Sequence, residues 1–398
     1  MTSLTLRSLP LPTGARAMRQ RIRSFLADTE FTPEVDCWGS AFDADFSAAL
    51  GAAGFLGMTW PKAHGGHELS AFERLVVNEE LLAAGAPVAA HWFADRQVGP
   101  SLLKHGTEEQ KQRFLPAMAA GTCFAAIGLS EPEAGSDLAS VRTRAHRVEG
   151  GWSISGQKVW TSWAHKSHFI VVLARSAPQE QNRHSGLSQF IVELPSPGVT
   201  IRPLQQMSGG AHFNEVFFDD FFVPDDRVLG EVGSGWAQIT GELAFERSGA
   251  ERFLSPMPLL SSLASRADGG DGHGSCPELA DPRSPDPGAG DSEVADLVTT
   301  STARLRLLRQ ASVSIAALLD TGEAPEVEAA VIKDLGTTFE QEFVSRALAA
   351  VPTLPSPDGT DELARHLGDA ALRAPSFTLR GGANDILRGI VAKGVGLR

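Results

Sequence analysis

Glu242, Glu246 and Arg247 place two carboxylates and a guanidinium close together in one helical stretch. A carboxylate there can serve as a general base, or the three groups can form solvated pairs that contribute little to stability. The Glu-Arg dipeptide does not by itself decide between these roles. A second stretch, Gly128-Leu-Ser-Glu-Pro-Glu-Ala-Gly-Ser-Asp137, puts amides and the Ser130 and Ser136 hydroxyls where a strand ends. On residue type alone Ser130 is a turn residue and Trp160 a core aromatic. His165 and His168 read as polar surface residues, and the scattered histidines have no zinc-ligand spacing. Cys37, Cys123 and Cys276 are three, far apart, and fit free thiols in a reducing compartment. No GxGxxG follows a strand and no GxxxxGK[ST] is present, so neither a Rossmann dinucleotide site nor a P-loop is indicated.

These groups need elements to hold them. From about Ala15 to Gly121 the pattern is helical. Ser70-Ala-Phe-Glu73 has the form of a capping box, and Phe72, Leu75, Val76, Leu82 and Ala83 recur near a 3.6 period. Thr107-Glu-Glu-Gln110 offers a second box, and Gly65-Gly66 and Gly85-Ala-Pro87 break helices. From Thr122 to about Val232, Trp152-Ser-Ile-Ser, Phe169-Ile-Val-Val-Leu, Phe190-Ile-Val-Glu-Leu and Glu215-Val-Phe-Phe read as strands, with Gly150-Gly151 as a hairpin turn. Without helix-length segments between them, they predict an antiparallel β domain. From Gly233 helices return. Leu305, Leu308, Ile315 and Leu319 mark one. Val327, Val331, Leu335, Phe339, Phe343 and Ala347, stepping by four, form one apolar stripe on another. Residues 266–293 hold six Gly and four Pro in 28 positions and predict an acidic loop.

The chain has 398 residues, ample for two or three domains. With 42% hydrophobic and 21% charged residues it is globular in composition. Its net charge of −13 argues against a nucleic-acid partner held through phosphates. No apolar run approaches the roughly 20 residues of a membrane span. The N-terminus reads as a cytoplasmic start rather than a signal peptide.

The stretch Gly128–Asp137 resembles the signature of the acyl-CoA dehydrogenase family. So does Gly156-Gln-Lys-Val-Trp-Thr-Ser162. Asn214-Glu-Val-Phe-Phe-Asp-Asp220 with Val223-Pro224 resembles the strand leading out of that family's β domain, and Arg380-Gly-Gly-Ala-Asn-Asp-Ile-Leu-Arg388 its C-terminal flavin-contacting turn and helix. The matches run in order from about Glu73 to the end. The resemblance implies an α+β fold: a helical N-terminal domain over 1–121, a central antiparallel β-barrel or sandwich over 122–232, and a C-terminal four-helix bundle over 233–398.

It also implies FAD and an acyl-CoA substrate. By similarity Ile127, Leu129, Ser130, Gly135, Ser136, Trp160, Thr161, Ser162, Gly382 and Asp385 are cofactor residues. Ser162 would lie near flavin N5, and Trp160 would cover a ring face. Ser136, Arg247 and Gly381 are implied substrate contacts. Many members place the catalytic Glu where this chain has Gly381, which cannot be a base. Members of the isovaleryl- and long-chain type carry it on an earlier helix, before an Arg, and Ala244-Phe-Glu246-Arg247 matches that arrangement. Glu246 is therefore the expected base, with the Gly381 N–H still able to meet the thioester oxygen. The missing side chain at 381 suggests room for a bulky or branched acyl group.

Several departures qualify the resemblance. The family's Arg-x-x-Phe-Gly stretch, whose Arg reaches a neighbouring subunit's flavin pyrophosphate, is replaced by the acidic loop. Val351-Pro-Thr-Leu-Pro-Ser-Pro-Asp stands where a Gly-rich segment is usual, and Ala383 where a Thr is. Expected partners are electron-transfer flavoprotein as acceptor and either further copies of this chain or a second acyl-CoA dehydrogenase-like chain in a heterotetramer. The alternatives are an FAD-poor structural subunit, or a flavin monooxygenase or oxidase on the same fold.

Overall fold

The computed structural model describes residues 4, 6–178, 182–247, 249–267, 292–323 and 325–397, with the backbone alone over 242–246. The chain forms two compact units. One contains residues 1–41, 70–87 and 247–398; the other contains 42–69 and 88–246.

The second unit is built on a sheet of eight strands: β1 (Ala125–Gly128), β2 (Arg144–Val148), β3 (Gly151–Lys158), β4 (Phe169–Arg175), β5 (Leu187–Glu193), β6 (Val199–Leu204), β7 (Phe213–Pro224) and β8 (Val228–Leu229). Their order is β6-β7-β3-β2-β4-β5-β8, with β1 on β4, and the path is open rather than closed into a barrel. The Gly150-Gly151 hairpin joins β2 to β3 as expected. Most pairings are antiparallel, but β1 runs parallel to β4. The long connection between them allows this, because parallel neighbours need a crossover.

The apolar run of β4 has a physical reason. Ile170, Val172 and Ala174 enter one core with Trp152, Phe190 and Val216. Phe169 and Val171, alternating with them, enter another with Trp60, Phe114 and Leu115. A strand buried on both faces reads as continuous hydrophobics.

The first unit is helical. Ala71–Ala83 begins with the Ser70–Glu73 capping box fully formed. The later helices are Met257–Ala267, Ser292–Asp320, Glu326–Ala350, Glu362–Phe377 and Asn384–Gly394. Of the loop expected at 266–293, the end residues belong to helices, and 268–291, with Cys276, lie outside the described residues.

The stripe on Glu326–Ala350 differs from expectation. Phe339, Phe343 and Ala347 are buried, but Leu335 is exposed and Val327 and Val331 are half-buried. A step of four overshoots the 3.6-residue turn, so a long stripe drifts around the helix. The face that is buried carries Lys333, Thr337 and Glu340 instead.

The Thr107 box is also formed: Thr107 Oγ1 accepts from the Gln110 amide at 3.2 Å and Gln110 Oε1 accepts from the Thr107 amide at 3.2 Å. Thr107→Ala should cost about 0.5–2 kcal/mol. Urea denaturation should show a lower midpoint with unchanged far-ultraviolet circular dichroism; an unchanged midpoint would deny the cap its role.

Candidate active site

The two signature stretches of the β-rich unit are tied side by side. Lys158, 0% exposed, donates from Nζ to the Leu129 carbonyl at 3.0 Å and to Glu131 Oε1 at 2.7 Å. The Val159 amide donates to the Ser130 carbonyl at 2.9 Å. Glu131 also accepts from the amides of Arg142 (2.6 Å) and Thr143 (2.9 Å). Burial alone would raise the Glu131 carboxyl, but the Lys158 charge and these hydrogen bonds hold it below the usual range. Burial in turn pulls the Lys158 ammonium down to about 8, against the attraction of Glu131. Gly156 makes the approach possible: it has φ +151, and a Cβ there would come within 2.6 Å of Thr143 Oγ1.

Around this anchor the expected cofactor residues present unused polar groups. Among the described residues, neither the amide nor the hydroxyl of Ser130 has a protein partner, and the same holds for Ser162. Thr161 Oγ1 is buried and likewise without a partner, although its amide and carbonyl are both held by Asn214. Trp160 is not a core residue: it is 58% exposed, has φ +61, and stands edge-on to Phe213 at 5.7 Å between centroids. Ile127 lies in β1, half-buried, and Gly135 and Ser136 are exposed. An exposed indole beside free amide and hydroxyl groups fits an aromatic ring with a polar edge, so these residues fit a flavin. His165 and His168 are exposed, as expected.

The helical unit contains the other expected residues. Gly381 and Gly382 form a turn with φ +69 and +98. The Gly381 carbonyl accepts from Arg247 Nε at 3.1 Å. The Gly382 carbonyl accepts from Lys333 Nζ at 2.7 Å, and Lys333 also donates to the Thr378 carbonyl and Asn384 Oδ1. Among the described residues the Gly381 N–H takes no protein partner. Asp385 is exposed, 3.5 Å from Arg388. The room expected beside Gly381 is absent: a Cβ there would meet the Arg252 guanidinium at 3.0 Å. Arg252 itself is buried and lies over the Trp38 ring.

Arg380, just before the turn, is fixed by Asp36 and by Ser255 Oγ at 2.6 Å. It lies between the Trp38 and Phe377 rings and 3.6 Å from Glu340. Burial raises the Glu340 carboxyl from its ordinary 4.5 to about 7, while Arg380 and the Ser255 hydrogen bonds pull it down. Glu246 falls in the helix Gly235–Arg247, and its side chain, like that of Glu242, lies outside the described residues. Among the described residues no cluster of His, Cys, Asp and Glu could hold a metal, and no helix is long and apolar enough to cross a membrane.

The sequence reading gave no role to Lys158, Lys333, Arg252, Arg380 or Glu340. Lys158 sits inside the Gly156–Ser162 motif and Arg380 opens the Arg380–Arg388 motif, so both could have been found there. Lys333, Arg252 and Glu340 gain their roles only from contacts distant in sequence.

Two outcomes follow for these networks. Lys158→Met, which leaves Glu131 buried without its cation, should destabilise the β-rich unit by about 3–5 kcal/mol. Adding Glu131→Gln should restore part of the loss in urea denaturation; no recovery would deny the pairing. Glu340 in the folded chain binds its proton more tightly than an unfolded Glu does. Its contribution to stability is therefore full below pH 4.5 and is lost as the pH rises toward about 7. Relative to wild type, Glu340→Gln should gain denaturation midpoint between pH 5 and pH 8. A difference independent of pH would contradict the assignment.

Comparison with known proteins shows the family. Residues 13–122 match the N-terminal domain of acyl-CoA dehydrogenases, 126–221 the middle domain and 288–396 the C-terminal domain. The chain is 36% identical over 399 residues to acyl-CoA dehydrogenase IpdE1 of Mycobacterium tuberculosis, covering 95% of this chain and 96% of that protein. The Tcur3481-Tcur3483 steroid ACAD superposes with a TM-score of 0.81 at 28% identity, over 98% of this chain and 100% of that one. The ChsE4-ChsE5 complex of Mycobacterium tuberculosis gives 0.80 at 26% identity, again over 98% and 100%. All three domains and nearly the whole length are accounted for, and the chain belongs to the acyl-CoA dehydrogenase family of oxidoreductases.

Proposed function

We propose that this chain dehydrogenates an acyl-CoA thioester between its α and β carbons, with FAD as cofactor and Glu246 as general base. The observation that carries the reading is the turn at Gly381. It has no carboxylate, and Arg252 occupies the space a side chain would need. The family's other arrangement puts the base on an earlier helix, where Glu246 stands beside Arg247. Arg247, by donating to the Gly381 carbonyl, ties the residue after Glu246 to the turn.

The division of labour follows. An α-hydrogen beside a thioester is a weak acid, so its removal needs a positioned carboxylate and a donor for the developing enolate oxygen. Glu246 takes the proton. The Gly381 N–H, unused by the protein among the described residues, suits the thioester oxygen. Ser130, Thr161, Ser162 and Trp160 would hold FAD, which when bound supplies the acceptor for the β-hydride. Electron-transfer flavoprotein is the acceptor we assign by family. The filled space at Gly381 removes the structural ground for a bulky or branched acyl group.

The chain works in an assembly, and we favour a heteromer. The ChsE4-ChsE5 neighbour is a two-chain complex, and this sequence lacks the family's Arg-x-x-Phe-Gly stretch. A partner chain would bring the cation for the flavin pyrophosphate that this chain does not carry there.

Glu246→Gln should lower acyl-CoA-dependent dye reduction by about 10²–10⁴-fold, the usual contribution of a general base. Flavin content should be unchanged. Retained turnover would reject the assignment.

A further inference from the structure

The turn that carries the Gly381 N–H is a poor place to keep an amide still. It joins the helix Glu362–Phe377 to the helix Asn384–Gly394. Two consecutive glycines, at φ +69 and +98, form its middle. Glycine has more backbone freedom than any other residue, so local sequence alone does not hold such a turn in one shape. A group outside the turn must do it.

Lys333 meets that need from the helix Glu326–Ala350. The residue is 0% exposed. Its Nζ donates to the Thr378 carbonyl at 3.0 Å, to the Gly382 carbonyl at 2.7 Å and to Asn384 Oδ1 at 2.7 Å. These oxygens match the donors of an ammonium in number, and hydrogen bonds from a charged donor are the strong ones. They also span the turn. Thr378 precedes the glycines, Gly382 is the second of them, and Asn384 opens the next helix. The Thr378 carbonyl accepts from the Asn384 amide as well, at 3.1 Å. One ammonium thus ties both ends of the turn to one point on a packed helix. Thr337, one helical turn on, adds support: its Oγ1 lies 2.8 Å from the Lys333 carbonyl and 3.2 Å from Asn384 Oδ1.

We infer that Lys333 is a positioning residue for the dehydrogenation, acting through the turn rather than on the substrate. By holding the carbonyls on either side of Gly381, it sets the direction in which the Gly381 N–H points. The inference rests on the proposed use of that N–H against the thioester oxygen. Enolate character develops on this oxygen as the α-proton leaves, so the donor has to stand in place before the proton moves. A misplacement of about 1 Å can cost about 10²-fold in rate. Without the ammonium, the turn keeps its glycines but loses the tie between its two ends.

The test uses the full chain with FAD, together with any partner chain that co-purifies. Flavin reduction by saturating acyl-CoA ester is followed in a single turnover by anaerobic stopped flow, for wild type and Lys333→Met. A misfolded fraction lowers the amplitude of that reaction, whereas a displaced amide lowers its rate constant. Lys333→Met should lower the rate constant by about 10–10²-fold. In the same variant without ester, amide hydrogen exchange of the 378–384 segment should speed up while that of the β-rich unit stays as in wild type. An unchanged rate constant, with only the amplitude reduced, overturns the inference. Should Lys333→Met give no folded protein, Asn384→Ala decides: it removes the side-chain oxygen, leaves both turn carbonyls held, and should lower the rate constant several-fold. An unchanged rate constant there overturns the inference too. If no ester reduces the wild-type flavin, the dehydrogenase reading falls, and the inference with it.

Discussion

A carboxylate taken out of water must be met by charge and by hydrogen bonds, and the β-rich unit depends on how it meets that demand at Glu131. Lys158 from β3 and the amides of Arg142 and Thr143 converge on the one side chain. Because Lys158 also holds the Leu129 carbonyl, the pair fixes the loop after β1 against the end of β3. Ser130, Thr161, Ser162 and Trp160 are thereby gathered on one edge with polar groups to spare. A buried ion pair is weak evidence of net stability, since apolar replacement of both partners can be as good. Its value here is geometric: it ties the loop after β1 to the end of β3.

The helical unit solves a related problem with more charges. Arg380, Asp36, Glu340 and Ser255 form one network, and Lys333 and Arg247 grip the carbonyls of the Gly381-Gly382 turn. With both carbonyls occupied and the positive-φ backbone accommodated by glycine, the turn presents its amide side in a fixed direction. Arg252 against Gly381 makes the absence of a carboxylate a built feature rather than a vacant position.

Much of this was legible in the sequence. Both capping boxes, the β2–β3 hairpin and the central strands stand where local pattern put them, because caps, turns and alternation act over a few residues. The order helices, sheet, helices followed from the same signals, and the ordered motifs marked the loops bearing Ser130 and Trp160. Long-range contacts were hidden. Lys333 and Glu340 look like surface charges on an amphipathic helix, yet they are buried because Asn384, Arg380 and Ser255 meet them from distant segments. Gly381 suggested space, and only the fold brings Arg252 into it. Trp160, read on type alone as core, is kept outside by a left-handed backbone.

The account comes down to whether this chain seats a flavin that an acyl-CoA ester can reduce. The visible absorption spectrum of the purified protein, alone and with candidate partner chains, recorded anaerobically before and after adding acyl-CoA esters, addresses it directly. The account predicts a yellow protein or complex whose oxidised-flavin band fades on adding a suitable ester. A chain that stays colourless with excess FAD and with every partner, or a flavin band that no acyl-CoA diminishes, would contradict it.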